Sequence, residues 1–323
     1  MTTYVVGADG GNSKTDIALS TVDGEVLAQV QGGGTLPHVT GMDRTAQDLA
    51  AMVDRAREQA GLPADTRIKA GAFYLANVDI PAEEQAARAA LGQLHVVDEL
   101  TVYNDVFAVL RAGSRRGWGV AVTAGAGVNA VGVHPGGDVA RFLSLGDITG
   151  DWGGGHAVGV AGLGAAVRAE DGRGPDTKLT LRVAEHFSLA NAEAVALAIH
   201  HHEIPYAAVH TLAPVVFKTA SEGDPVARET VVRLGDEVAT MATTLLRRLH
   251  LLDSDADVVL GGGTLQSGNG ILIERIHELM GEAAPRVQVK VLDVPPVVGA
   301  LIEALVMAGA TDAAQVRARA AFS

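Results

Sequence analysis

The sequence predicts an α/β protein of two domains, and three observations lead to that expectation. The chain has 323 residues, roughly twice the size of an average domain. β-rich runs and amphipathic helical runs follow one another in its first third in the order βββαβαβα. After a glycine-rich break at 113–119, strands separated by glycine turns begin again. The sequence therefore predicts two α/β halves.

The first half is predicted to open with three strands joined by turns. Asp23-Gly24 marks one of these turns. Residues 43–60 carry apolar side chains at three- and four-residue steps and end before Gly61, which is typical of a helix. The predicted strands are 3–6, 16–21, 25–31, 68–75 and 94–97, and the predicted helices are 43–60, 82–91 and 105–111.

The second half is predicted to be mainly helical between two groups of strands. Strands are expected at 120–123, 130–133, 257–260 and 287–291. Helical sequence dominates 156–252, and its clearest helix, 226–252, carries an apolar stripe. The stripe consists of Leu234, Val238, Met241, Leu245 and Leu249. A last apolar helix is predicted at 298–308.

Composition excludes several classes of protein. The chain has no cysteine, which rules out disulfides, thiolate nucleophiles and iron–sulfur clusters on its own cysteines. A formal net charge of −13 argues against a nucleic-acid partner and against a polybasic membrane anchor. The sequence shows neither a signal-peptide pattern nor a run of about 18 apolar residues. We therefore expect a cytoplasmic protein that binds neither nucleic acid nor membrane.

The first motif that can carry chemistry is GADGGNSKT at 7–15, between two predicted strands. Successive backbone N–H groups of a glycine-rich hairpin bind anions. Ser13, Lys14 and Thr15 add two hydroxyls and a cation suited to a polyphosphate, and Asp9 can hold Mg²⁺ directly or through water. The motif is no Walker A loop, because it lacks that spacing and no helix follows. An ordinary hairpin with a surface Asp and Lys is the alternative.

Two further glycine turns follow predicted strands in the second half. TAGAGVN at 123–129 is a second hairpin, which together with the first can hold a polyphosphate. VVLGGGTLQ at 258–266 ends a buried strand in three glycines, where a flat adenosine can lie against the backbone. A plain hairpin turn and a tight strand-to-helix turn are the respective alternatives.

Polar motifs at two strand ends suit a hydroxylated substrate. Tyr103-Asn104-Asp105 lies where a strand gives way to a helix, so Asp105 is either a helix N-cap or a substrate-binding carboxylate. LGDITGDWGGG at 145–155 places Asp147, Thr149 and Asp151 among glycines. Such side chains suit sugar hydroxyls, and they also suit an exposed turn.

In this order, the motifs resemble the actin-like ATPase superfamily of sugar kinases, actin and hexokinase. Within it the chain is most similar to the BadF-type ATPase and N-acetylglucosamine kinase family. The resemblance extends to PPVVGALIEALVMAG at 295–309, the family's closing proline-to-helix segment. It implies two ribonuclease-H-like domains with a cleft between them. The first would comprise 1–115 with a C-terminal helix of about 299–323 packed back on it, and the second 116–298.

The resemblance also implies a role for each motif. Asp105 would be the general base, Asp9 would lie near Mg²⁺, and the glycine turns would hold ATP. The expected ATP-binding residues are Asp9, Gly10, Gly11, Asn12, Ser13, Lys14, Thr15, Gly125, Ala126, Gly127, Gly261, Gly262 and Gly263. The expected sugar-binding residues are Thr35, Leu36, Asn104, Asp105, Asn129, Leu145, Gly146, Asp147 and Asp151.

The activity implied is that of an ATP- and Mg²⁺-dependent kinase that phosphorylates a hydroxyl of an amino sugar, N-acetylglucosamine or glucosamine. Three residues depart from the family's sugar-binding pattern, namely Leu36, Leu145 and Trp152. The resemblance therefore does not identify which sugar is phosphorylated. The alternative is an ATPase of this family with a regulatory or activator-like role. Iron–sulfur activators are excluded by the lack of cysteine. Since members of the family are often dimers, a homodimer is compatible with the resemblance.

Overall fold

The computed structural model describes residues 2–322; Met1 and Ser323, which fall in the predicted segments 1–115 and 299–323, lie outside them. The chain divides into two compact units. Unit 1 is Met1–Gly119 with Leu292–Ser323, and unit 2 is Val120–Val291. The sequence placed the two boundaries after residues 115 and 298.

Ten strands form two five-stranded sheets within the described residues. In chain order, β1 to β10 are Tyr4–Gly10, Lys14–Thr21, Val26–Gly33, Ile68–Leu75, Glu99–Asn104, Gly119–Ala124, Val128–Val133, Val139–Arg141, Asp257–Gly261 and Gln288–Val291. The strand orders are β3-β2-β1-β4-β5 and β10-β9-β6-β7-β8. Read from β8, the second order repeats the first, so the two predicted halves share one sheet topology.

Twelve α-helices accompany these strands in residues 2–322. In chain order, α1 to α12 are Pro37–Thr40, Met42–Gln59, Pro81–Gln93, Val106–Gly113, Gly154–Glu170, Leu179–Phe187, Ala192–His200, Ala213–Ser221, Pro225–Arg248, Gly270–Ala283, Val297–Met307 and Asp312–Ala320. The two-domain α/β prediction is thus confirmed. No described helix is both long and apolar enough to cross a lipid bilayer.

Unit 1 is a sheet covered by helices on both faces. β1 is antiparallel to β2 and parallel to β4, which is parallel to β5. Because strand side chains alternate between faces, Val6 packs with α2 and α3 while its neighbour Val5 packs with α4, α11 and α12. The core therefore lies in two apolar layers, one on each side of the sheet.

Helix α11 belongs to unit 1 because glycines let it pack closely there. A Cβ on Gly7 of β1 would lie 2.3 Å from the backbone nitrogen of Leu301. A Cβ on Gly299 would lie 2.1 Å from the carbonyl oxygen of Ala108 in α4. Both distances are far below van der Waals contact, so only glycine fits. This packing returns the C-terminal segment to the strand that carries the first glycine motif.

Unit 2 combines its sheet with the predicted helical stretch. β9 and β10 pair in parallel and β7 and β8 antiparallel. In α9, Leu234, Val238 and Leu245 are fully buried, which confirms the predicted stripe, although the helix ends at Arg248. The hairpin predicted around Gly125 is also confirmed, since β6 and β7 are neighbours in the sheet.

One strand prediction was wrong, and two strands were missed. The strand expected at 94–97 does not exist, because α3 continues to Gln93 and a turn with His95 at a φ of 50° follows. The last strand of this sheet is β5, whose sequence ELTVYN buries polar Thr101 and Asn104 beside Val102. β8 was missed, since its three residues are too few for an alternating pattern to be recognised.

Candidate active site

The carboxyl ends of three parallel strands in unit 1 bring the polar motifs together. Gly10 of β1 pairs in register with Leu75 of β4, and Leu75 pairs with Asn104 of β5. Residues at and just beyond this row therefore share one edge of the sheet. They include Asp9 before it and Asp105 after it. Ligands of open α/β sheets commonly bind at this edge.

The first glycine hairpin is a tight turn held by backbone hydrogen bonds. Gly11 N–H donates to the Lys14 carbonyl at 2.9 Å, and Thr35 N–H donates to the Gly11 carbonyl at 2.9 Å. The side chains of Asn12, Ser13 and Lys14 are exposed at the tip. Lys14 forms an ion pair with Asp16, at 2.7 Å between Nζ and Oδ2. The tip thus presents polar groups and a cation to a ligand.

Thr15 and Thr35 point into the protein and support the hairpin. Both are almost fully buried. The Thr15 hydroxyl donates to the Gly33 carbonyl at 2.7 Å and lies 2.8 Å from the Thr35 hydroxyl. These hydroxyls therefore already serve the fold. Leu36, the next predicted sugar contact, is half-buried at the N-terminus of α1.

Asp9 is a half-buried carboxyl group among other acids. It lies opposite Asp16 in the β1–β2 ladder. Burial, reinforced by the charges of Asp105 and Asp16 and opposed by Lys14, raises the pKa of Asp9 to about 8. Ionised Asp9 is therefore unfavourable without a compensating cation.

The pKa of Asp9 predicts how stability depends on pH. The folded protein keeps the Asp9 proton up to about pH 8, whereas the unfolded chain releases it near pH 4. The free energy of unfolding must therefore fall as pH rises across that window. The side chain of Asp9→Asn stays neutral. We therefore expect its free energy of unfolding at pH 8 to exceed that of wild type by on the order of 1–3 kcal/mol.

Urea unfolding in a metal chelator at pH 4.5 and pH 8 measures this effect. The two proteins should be similarly stable at pH 4.5 and differ at pH 8. Added Mg²⁺ should stabilise wild type at pH 8 and leave Asp9→Asn unchanged. Equal stabilities at pH 8 would contradict the raised pKa.

Asp105 occupies the N-cap position of α4, yet its side chain does not cap the helix. The neighbouring Asn104 provides a bond there instead, since its Oδ1 accepts from Val106 N–H at 3.1 Å. Burial is the largest cause that raises the pKa of Asp105 to about 7, and the charge of Asp79 adds to it. Backbone N–H groups of Val106 and Asp105 oppose the rise. Asp105 therefore occupies the N-cap position, as the N-cap alternative predicts, but its carboxyl group makes no capping hydrogen bond of normal geometry.

Two residues at the same edge escaped the sequence analysis. Asn77 and Asp79 follow β4, as LANVD at 75–79. The Asn77 amide donates to Asn12 Oδ1 at 2.7 Å and to the Thr35 carbonyl at 3.2 Å, so it ties the hairpin tip to the segment after β3. Their position after the strand next to β1 was a signal that could have found them.

The second glycine hairpin is braced inside unit 2 by two other glycine segments. The Gly125 carbonyl accepts from Gly155 N–H at 2.7 Å and from the Thr264 hydroxyl at 3.2 Å. Thr264 N–H also donates to the Ala124 carbonyl at 3.0 Å. The turns at 125–127 and 261–263 and the start of α5 therefore meet at one place. Two of the predicted ATP-binding segments are thus neighbours.

Glycines in these turns fall into two groups. A Cβ on Gly262, which has a φ of +86°, would lie 2.5 Å from the Ala124 carbonyl oxygen. The fold itself requires glycine there. A Cβ on Gly125, Gly127 or Gly263 would meet nothing within 4 Å. Glycine at these three positions leaves open space beside the backbone, which suits close approach of a ligand.

The predicted sugar residues of unit 2 lie on β7 and the loop after β8. Asn129 Oδ1 accepts from Ser144 Oγ at 2.6 Å, which joins the strand to the loop. Thr149 closes the loop by accepting from Leu145 N–H at 2.9 Å and by donating to the Asp151 carboxylate. Gly146 and Asp147 lie in a short 3-10 turn, exposed to solvent. Within this loop the Thr149 hydroxyl therefore contacts the Asp151 carboxylate.

Trp152, two residues before α5, lies beside an arginine of α9. The Arg233 guanidinium carbon lies 3.9 Å from the centroid of the Trp152 ring, within the range of a cation–π interaction. A carboxylate at position 152 would form an ion pair with Arg233 in place of this cation–π contact. This departure from the family pattern therefore has a local structural partner.

The match to a family model decides what this arrangement belongs to. The model of the BadF/BadG/BcrA/BcrD ATPase family matches residues 6–306, which include both hairpins, Asp105 and the glycines at 261–263. The chain belongs to the BadF/BadG/BcrA/BcrD ATPase family. The family resemblance inferred from the motifs is thereby confirmed.

Two curated relatives of this BadF-family chain are similar over most of their length. An N-acetylmuramic acid/N-acetylglucosamine kinase of Clostridium acetobutylicum is 23% identical over 286 residues, 88% of this chain and 93% of that protein. An N-acetyl-D-glucosamine kinase of Dictyostelium discoideum is 22% identical over 310 residues, 93% of this chain and 97% of that protein.

Solved structures show the same fold for this BadF-family chain. A candidate N-acetylglucosamine kinase of Chromobacterium violaceum superposes with a TM-score of 0.72 at 25% identity, covering 93% of this chain and 98% of that one. A ROK family glucokinase of Streptomyces griseus, solved with glucose and AMPPNP, gives 0.57 at 16% identity, covering 93% and 99%. The fold is that of the actin-like sugar kinases.

The charge around Asp9 and the open space at the glycine turns of this ATPase-family chain are compatible with Mg²⁺ and a nucleotide. The charges of Asp105 and Asp16 act on Asp9 and are opposed by Lys14, although no group of three or more acidic or histidine side chains in residues 2–322 is arranged to hold a metal ion by itself. A hard divalent cation would offset that charge and prefers such oxygen ligands. The space beside Gly125, Gly127 and Gly263 would accept phosphate or adenosine against the backbone.

Proposed function

We propose that the protein is an ATP-dependent sugar kinase that transfers the γ-phosphoryl group to a hydroxyl of an amino sugar, glucosamine or N-acetylglucosamine. One observation carries the proposal. Asp105 is a half-buried carboxyl group at the carboxyl edge of the unit 1 sheet, it does not cap its helix, and its pKa is about 7. A carboxylate with such a pKa is suited to general base catalysis near neutral pH.

The chemistry assigns Asp105 to the acceptor hydroxyl. As the hydroxyl oxygen bonds to the γ-phosphorus and the bond to the β-phosphate oxygen breaks, the hydroxyl proton passes to the Asp105 carboxylate. Mg²⁺, when bound, neutralises charge on the phosphate oxygens. Asp9 would hold that ion directly or through water. Lys14 and backbone N–H groups of the first hairpin would bind phosphate oxygens.

The nucleotide would bind to the glycine turns of unit 2. Gly125, Ala126 and Gly127 are exposed at the hairpin, and Gly263 is exposed at the end of the turn after β9. Open space beside three of these glycines allows a ligand to reach the backbone. Of the other predicted ATP-binding glycines, Gly10 and Gly261 are buried and would not contact the nucleotide with exposed backbone. Thr15 would act indirectly, because its hydroxyl is used inside unit 1.

The choice of sugar is supported by the relatives. Two are named as kinases of N-acetylglucosamine or N-acetylmuramic acid. Asn129 and Asp151 offer an amide and a carboxylate suited to sugar hydroxyls. Leu36, Leu145 and Trp152 differ from the family pattern, so we propose the class of amino sugars and test its members.

A panel of acceptors tests the proposal directly. We expect ADP formation with Mg²⁺ and ATP to rise at least about tenfold when the right sugar is added, because water is a poorly positioned acceptor. The panel contains glucosamine, N-acetylglucosamine, N-acetylmuramic acid, glucose and no sugar. Mass spectrometry of the sugar must show one added phosphoryl group. ADP release that no sugar increases would contradict a sugar kinase and favour a family ATPase with another role.

A further inference from the structure

Asp79 is a half-buried acid in the loop between β4 and α3, beside the candidate base. Its backbone is fixed by Glu83 of α3, whose Oε2 accepts from the N–H groups of Asp79 at 2.8 Å and Ile80 at 3.2 Å. The side chain of Asp79 is therefore presented from an anchored loop and points toward β5.

The buried side chain of Asn104 links Asp79 to the start of α4. Its Nδ2 donates to Asp79 Oδ1 at 2.8 Å, and its Oδ1 accepts from Val106 N–H at 3.1 Å. Asn104 is 2% exposed, so neither bond competes freely with water. The two bonds bracket Asp105, which lies between Asn104 and Val106 in the chain.

We propose that Asp79 is a positioning residue for Asp105: it holds the Asn104 amide, which holds the first N–H of α4, and so fixes the direction of the Asp105 carboxylate. This inference rests on the proposed kinase function. A general base must lie within about 2.6–3.2 Å of the proton that it takes. Loss of the Asp79 bond would weaken the hold on the Asn104 side chain and, through its bond to Val106 N–H, on the backbone beside Asp105.

Besides its hydrogen bond, the charge of Asp79 affects the basicity of Asp105. Asp79 is the leading charged cause of the raised pKa of Asp105, after burial. The charge of Asp105 acts on Asp9 of β1, and Asp16 and Lys14 act on Asp9 as well. Asp79 would thus both aim the carboxylate and increase its basicity.

Two variants separate geometry from charge. Asp79→Asn keeps an oxygen that accepts from Asn104, whereas Asp79→Ala removes it. We expect Asp79→Ala to lower kcat about 10- to 100-fold with little change in the KM for ATP. Asp79→Asn should restore kcat to within about threefold of wild type, because the hydrogen bond remains. The matched control is Asp98→Asn, an acid before β5 that pairs with exposed Arg67 at 3.0 Å.

Amide hydrogen exchange of the sugar-free protein provides the second readout. Exchange at Val106 should be about tenfold faster in Asp79→Ala and close to wild type in Asp79→Asn and Asp98→Asn. An unchanged kcat in Asp79→Ala, or equal losses in both Asp79 variants, would overturn the inference in an active kinase. Unchanged Val106 exchange in Asp79→Ala would overturn it too. Wild type that phosphorylates no sugar would instead refute the proposed function.

Discussion

Asp105→Asn is expected to reduce sugar phosphorylation by about 10²- to 10⁴-fold. The substitution preserves the size of the side chain and removes only its capacity to take a proton near neutral pH. The carboxylate does not cap α4, and Asn104 supplies a bond to that helix. The fold therefore loses little, while the acceptor hydroxyl loses its base.

The measurement combines coupled ADP production with thermal unfolding and ATP binding. The variant should unfold near the temperature of wild type and bind a nonhydrolysable ATP analogue with similar affinity. Asp98→Asn, at the other end of β5, controls for loss of one negative charge. Near-normal turnover in Asp105→Asn would remove the assigned role, whereas a loss of turnover together with unfolding would show that Asp105 serves the structure.

The local motifs of this site were predictable from the sequence because each is a short turn after a strand. The hairpins at 11–13 and 125–127 depend on glycines that neighbouring strands place within a few residues. Burial of Thr15 was also predictable in principle. It shares a strand face with Ile17 and Leu19, which pack in the core, so its hydroxyl could not face outward.

Long-range pairings at the site were not predictable in the same way. Asp79 and Asn104 are 25 residues apart, and their bond depends on the register of β4 with β5. The sequence analysis placed this strand at 94–97, because that segment is more apolar. The true strand, β5, was missed because it contains the polar residues Glu99 and Thr101. When a strand is predicted several residues too early, the residues at its carboxyl end are predicted wrongly. The neighbours of Asp105 could therefore not be predicted.

Gly127→Ala and Gly262→Ala are expected to weaken ATP binding for different reasons. At Gly127 the added methyl group meets nothing within 4 Å, so the free energy of unfolding should stay within about 0.5 kcal/mol of wild type. A phosphate group that needs the same space would be excluded. We expect affinity for ATP to fall at least about tenfold, or 1.4 kcal/mol.

At Gly262 the methyl group would lie 2.5 Å from the Ala124 carbonyl oxygen, on a residue with a φ of +86°. Left-handed backbone strain and the clash together should cost about 2–4 kcal/mol of stability. Weak ATP binding by Gly262→Ala would therefore accompany a lower unfolding temperature. Both variants should reduce kinase activity, Gly127→Ala by excluding phosphate and Gly262→Ala by destabilising the fold.

Calorimetric titration with a nonhydrolysable ATP analogue and urea unfolding distinguish these causes. Gly164→Ala is the matched control, because a Cβ there also meets nothing within 4 Å and the residue lies within α5, away from both turns. It should bind the nucleotide as wild type does. If Gly127→Ala binds the analogue normally as well, the open space beside the hairpin is not a phosphate site.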